Sequence, residues 1–146
     1  MKTLGIFLDT GFFLSISHPD DVNNVRGVEI LDDLYTGKYG LLYTSELIIG
    51  EAISLAWIRT KGNINLVHDL ETLILGDDQL AKILYMDEKS VQMTCTEFNK
   101  FNRTVKTKHE FLSFTDVSSI VLCRTYGIEQ IISFDPHFDA FLTRIY

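Results

Sequence analysis

Short apolar runs alternate along this chain with longer segments of helical period, and acidic residues stand at several of the switches. The run Leu4-Gly-Ile-Phe-Leu8 ends at Asp9, and Ile131-Ile-Ser-Phe134 ends at Asp135. Parallel strands need a long crossover connection, and a crossover helix covers one face of the sheet. Strands that alternate with helices therefore predict an α/β chain with a central parallel sheet of four to five strands, covered on both faces. With 146 residues, 46% of them hydrophobic, the chain suits one domain over 1–146 with a sizeable core.

The pattern places strands at 4–9, 41–44, 82–86 and 130–134, with a short final edge strand at 142–146. A helix is expected from about Pro19-Asp-Asp21 to Tyr35, with Val22, Val25, Val28, Leu31 and Leu34 as its apolar positions. Ser45 is a good N-cap for the next helix, which ends at Gly62 and Asn63. Another follows over 64–75. The stretch 89–104 is read as a helix because Val91, Cys95, Phe98 and Asn102 continue at helical spacing. A polar connection over 106–111 leads to a helix over 116–126, capped by Thr115 and stopped by Gly127.

Ligands of parallel sheets bind outside the carboxyl ends of the strands, near a switch in strand order. Asp9 and Asp135 stand at such ends. Asp116 falls in a first helical turn, where the macrodipole favours an anion. Glu51 lies two turns into its helix among apolar residues, where an unpaired carboxylate is costly. Glu46, in the first turn of that helix, has an ordinary structural reason to be acidic. Carboxylates gathered at one edge repel one another unless protons or divalent cations occupy the site. Asp135 before Pro136 also suits a turn, and Asp116 also suits a plain first-turn acid.

Two α/β chemistries with an acid after the first strand fit poorly. A haloacid-dehalogenase-type phosphatase needs a second acid two positions on, where Gly11 stands. A response-regulator receiver needs a lysine after the last strand, and none follows Phe134.

The segments Ile6-Phe-Leu-Asp-Thr10, Thr44-Ser-Glu-Leu-Ile-Ile-Gly-Glu51, Leu112-Ser-Phe-Thr-Asp116 and Ile132-Ser-Phe-Asp-Pro-His-Phe138 occur in one order across nearly the whole chain. In this the chain resembles the PIN-domain family, which includes VapC-type toxin ribonucleases. The resemblance implies a three-layer α/β/α sandwich and an acidic pocket for Mg²⁺ or Mn²⁺. Its metal-binding and catalytic acids would be Asp9, Glu51, Asp116 and Asp135, with Thr10, Thr115 and Asp139 in support. Asp139 suits a solvated surface equally well. Family members often carry a hydroxyl or amide where this chain has Gly11. The implied reaction is hydrolysis of RNA phosphodiesters to a 5′-phosphate and a 3′-hydroxyl. Two alternatives stay open: a non-catalytic PIN-like RNA-binding or scaffold protein, and a housekeeping RNA-processing nuclease. The implied partners are an RNA substrate, an antitoxin protein and a second copy of the chain.

The net charge of −7 gives no basic footprint for nucleic acid over the whole chain, although metal-holding acids add to that count. Lys100, Arg103, Lys106, Lys108 and His109 form a basic cluster, either a solvated helix end or a track for an RNA backbone. Arg59 and Lys61 extend it or close their own helix. The histidines at 18, 68, 109 and 137 share no ligand spacing; His137 stands next to the acidic edge. Cys95 and Cys123 read as buried, reduced thiols. The N-terminal run carries Asp9 and resembles a core strand more than a signal peptide. No run reaches the ~18 apolar residues of a membrane span, so a soluble, cytoplasmic protein without membrane contact is expected.

Overall fold

The computed structural model describes residues 4–146; Met1, Lys2 and Thr3, at the head of the N-terminal run, lie outside them. Five strands form one parallel sheet: β1 (Gly5–Leu8), β2 (Leu41–Ser45), β3 (Lys82–Leu84), β4 (Gln130–Ile132) and β5 (Thr143–Ile145). Their order across the sheet is β3-β2-β1-β4-β5. The chain steps outward from β1 through β2 to β3, then crosses back to place β4 on the other side of β1. The switch in strand order therefore falls between β1 and β4, where Leu8 pairs with Ile132. Residues of β1 are buried without exception, as expected for a central strand covered on both faces.

Six helices flank the sheet: α1 (Thr10–Ser17), α2 (Asn24–Tyr35), α3 (Glu46–Arg59), α4 (Ile64–Leu75), α5 (Glu88–Asn102) and α6 (Phe114–Tyr126). The architecture is the expected α/β/α sandwich. The main core joins Phe7, Phe12, Phe13, Ile48, Leu70, Ile120 and Phe138, while Leu112, Val117 and Val121 pack with Phe98 and Phe101 in a smaller cluster between α5 and α6. No described helix is long and apolar enough to cross a membrane.

Four differences from the sequence reading have physical causes. Helix α1 was not expected; it is buried on most sides, so its residues show no amphipathic stripe. Helix α2 begins at Asn24, because residues before it form a turn in which Asp21 Oδ1 accepts the Asn23 N–H at 2.8 Å. Its buried face is Gly27, Ile30 and Leu34; of the expected row Leu34 is buried and Leu31 packs against the core, but Val22, Val25 and Val28 are exposed. A step of three drifts off a 3.6-residue helical face. In α5 Phe98 packs inward as expected, but the first two turns bury Ser90 and Thr94, one position before Val91 and Cys95, which are exposed. Finally, Ser113 and not Thr115 caps α6. Its side chain accepts the Asp116 N–H, while Asp116 Oδ2 accepts the Ser113 N–H, a reciprocal capping box. Gly127 ends this helix in the left-handed region, at φ 69°. The cap Ser45 and the span of α4 stand as read, while α3 ends at Arg59 and Asn63, read as part of its end, caps α4.

Candidate metal centre

Asp9 leaves β1 and enters α1 without capping it by its side chain. Its N–H donates to the Ile132 carbonyl at 3.1 Å, which fixes it beside the end of β4. Its Oδ2 accepts the Ser133 hydroxyl at 2.7 Å, and Ser133 Oγ in turn accepts the Asp135 N–H at 3.0 Å. One fully buried serine thus ties together the two acids at the strand ends. Asp135 Oδ1 accepts the His137 N–H at 2.9 Å, so the turn before Pro136 also occurs. The two readings of Asp135 are compatible, because a turn uses one oxygen.

Asp9, Thr10, Glu51, Asp116 and Asp135 all line one open cleft of about 480 Å³ at the switch point. Glu51 reaches it from α3, along a stripe with Leu55. Glu46 points elsewhere: its Oε1 accepts the Met86 N–H at 2.7 Å and secures the exit from β3. Asp116, the third residue of its helix, has one oxygen in the capping box and lines the cleft.

Asp116, Asp135 and His137 form the tightest group, with ligand atoms within 4.8 Å of one another. His137 Nδ1 lies 3.2 Å from Asp135 Oδ1, and its Nε2 meets the His109 carbonyl.

Burial pushes the Asp9 carboxyl up to about 7, helped by Asp116 and Glu51 and opposed by the Ser133 hydroxyl and the Thr10 N–H. Glu51 is raised by burial and by Asp116, against a hydrogen bond with Thr115. Asp116 is also raised, chiefly by burial and then by Asp135, against the Ser113 hydrogen bonds and His137. Three acids in one cleft are thus each held back from ionising, chiefly by burial and partly by one another. Thr10 Oγ1 is buried and has no protein partner.

The PIN domain family model matches residues 6–141. The chain belongs to the PIN domain family. Two solved structures share this PIN fold. The sarcin–ricin-loop-cleaving toxin VapC20 of Mycobacterium tuberculosis superposes with a TM-score of 0.75 at 18% identity, over 93% of this chain and 94% of that one. FitAcB from Neisseria gonorrhoeae does so with a TM-score of 0.59 at 21% identity, over 97% and 96%. At these identities the likeness is one of fold. No curated protein sequence matches the chain significantly.

Within this PIN domain the donor set suits a hard divalent cation. It is rich in carboxylate oxygen, gathers from separate elements, and includes an unpartnered buried hydroxyl. Thr10 lines the cleft, and Thr115 hydrogen-bonds Glu51. Asp139 does not line the cleft; it forms a bidentate pair with Arg144, at 2.8 and 3.2 Å. Arg144 also donates to the Ser133 carbonyl at 3.2 Å. Ser133 and Asp21 went unassigned in the sequence reading, and Arg59 was read as extending an RNA track or closing its own helix. Ser133 lies within a quoted motif, but only the register of β1 against β4 aims it at Asp9.

Proposed function

We propose that this PIN domain is a Mg²⁺- or Mn²⁺-dependent endoribonuclease, and the toxin of a toxin–antitoxin pair. The observation that carries the reading is the convergence of four acids from separate elements into one cleft at the switch point. Asp9, Glu51, Asp116 and Asp135 would hold the ion, with His137 beside the last two. The chemistry supplied by a bound divalent ion is activation of water and charge neutralisation at the scissile phosphate. The chain's own part is to hold four carboxylates in fixed places. Ser133 sets Asp9 and Asp135, the capping box sets Asp116, and Thr115 sets Glu51. Burial of Asp9 keeps its carboxyl ready to exchange a proton for a cation near neutral pH.

The toxin role rests on the family and on the fold shared with VapC20 and FitAcB. With it come the remaining proposals: one domain over the whole chain, an antitoxin partner, a homodimer and a cytoplasmic location. The exposed basic residues Lys100, Arg103, Lys106 and Lys108 suit an RNA backbone, since His109 of the same segment meets His137 at the site.

The experiment is cleavage of single-stranded RNA by wild type and Asp9→Asn in Mn²⁺, with folding followed by circular dichroism. Asp9→Asn is expected to fold normally and lose cleavage. Full activity in the folded variant would remove Asp9 from the mechanism. Calorimetric titration with Mn²⁺ separates the enzyme from a non-catalytic RNA binder, for which millimolar metal gives no heat of binding.

A further inference from the structure

Helix α3 aims more than Glu51 at the cleft. Glu51, Leu55 and Arg59 recur at i, i+4 and i+8 and all line it, which places the Cα of Arg59 ~12 Å along the helix from that of Glu51. Arg59 is the one cation among the described residues lining that cleft. A single guanidinium nitrogen engages Asp21, Nη1 to Oδ2 at 3.4 Å. The Arg59 side chain is 50% exposed, whereas that of Asp21 is 7% exposed and its other oxygen is fixed by the Asn23 N–H. A pair so long and so open on the arginine side contributes little to stability. Guanidinium donors beyond Nη1 have no protein partner among the described residues. Their planar fork matches a phosphate.

We propose that Arg59 is a substrate-positioning residue that binds a backbone phosphate flanking the scissile one, and that Asp21 holds it over the cleft mouth until RNA arrives. The proposal rests on the ribonuclease reading above. Without such a cation the charged groups lining the cleft, among the described residues, are all acids. The distance from Glu51 assigns Arg59 to a neighbouring phosphate, so it acts on binding more than on the chemical step.

The test uses a short fluorescein-labelled single-stranded RNA of mixed sequence. Cleavage is followed in Mn²⁺, and binding is followed by anisotropy in the Asp9→Asn background. Arg59→Gln is expected to raise KM and weaken binding about tenfold, with a much smaller change in kcat. The slope of log affinity against log salt should fall by about one, and Arg59→Lys should restore part of the affinity. Lys89→Gln removes a positive charge on α5, away from the cleft, and serves as the control. Asp21→Asn keeps the acceptor for Asn23; whatever it does to affinity should vanish in an Arg59→Gln background. Three results overturn the proposal while leaving the ribonuclease reading intact. They are unchanged affinity and salt slope in Arg59→Gln, an equal loss in Lys89→Gln, or an Asp21→Asn effect that persists without Arg59. If the wild type neither binds nor cleaves the RNA, both readings fall together.

Discussion

Ser133 shows how much of the site depends on a residue that is not itself acidic. Its hydroxyl donates to Asp9 and accepts from the backbone of Asp135, so each acid limits the freedom of the other. Asp9 is the most burdened member, with its carboxyl pushed from 3.8 to about 7, chiefly by burial and further by Asp116 and Glu51. The consequence for stability has a definite sign. Between those two values the metal-free folded protein keeps a proton that the unfolded chain has released, so stability falls as pH rises through that window and levels off above it. Asp9→Asn removes the effect and keeps an acceptor for Ser133. In EDTA, its Tm should match wild type near pH 4 and exceed it by at least about 4 °C at pH 8. A Tm difference independent of pH would show that Asp9 ionises freely. Gly11, read from sequence as a missing contact, has room around it: an added Cβ would meet only Phe134, at 3.9 Å.

At the level of elements, composition was a better guide to the presence of a helix than to its buried face. The Ser45 cap and the stop at Gly127 were legible because each depends on a few neighbouring residues. The faces of α2 and α5 were not, since a row of valines says nothing about which side meets the sheet. What decides the face of α2 is its close crossing of α1. Gly27 lies against Ser15, where an added Cβ would stand 2.8 Å from Ser15 Cβ and closer still to its hydroxyl. Helix propensity alone makes Gly27→Ala stabilising by about 1 kcal/mol. The crossing reverses that sign, because forcing atoms into a packed contact costs about 1–3 kcal/mol. A urea melt should show a lower midpoint for Gly27→Ala at unchanged slope; a higher midpoint would mean that the two helices part easily. The same crossing explains why α1 escaped detection: a short helix enclosed by neighbours carries no polar face to mark its period.

For the whole molecule, the strand order does what no local pattern can. The order β3-β2-β1-β4-β5 sets β4 beside β1, and with it Asp135 beside Asp9 across most of the chain's length. A chain of net charge −7 that gathers its acids in one place stores repulsion, which a bound cation relieves. Mn²⁺ at a hundredfold excess over its Kd should therefore stabilise the wild type by about 2.7 kcal/mol, seen as a higher Tm. Asp116→Asn and Asp135→Asn should lose most of that gain; equal shifts in all three proteins would place the ion elsewhere. Sequence by itself determined the alternation of strand and helix, the single parallel sheet, and the acids that end β1 and β4. Those follow from periodicity and from the cost of a carboxylate in apolar surroundings, both of which act over a few residues. The preference for Glu51 over Glu46 was also legible in sequence. Only the tertiary structure recruited His137 and Ser133, turned Asp139 toward Arg144, and brought Arg59 to the cleft. Each of these depends on which face of an element meets which neighbour, and that is set by packing between residues far apart in the chain.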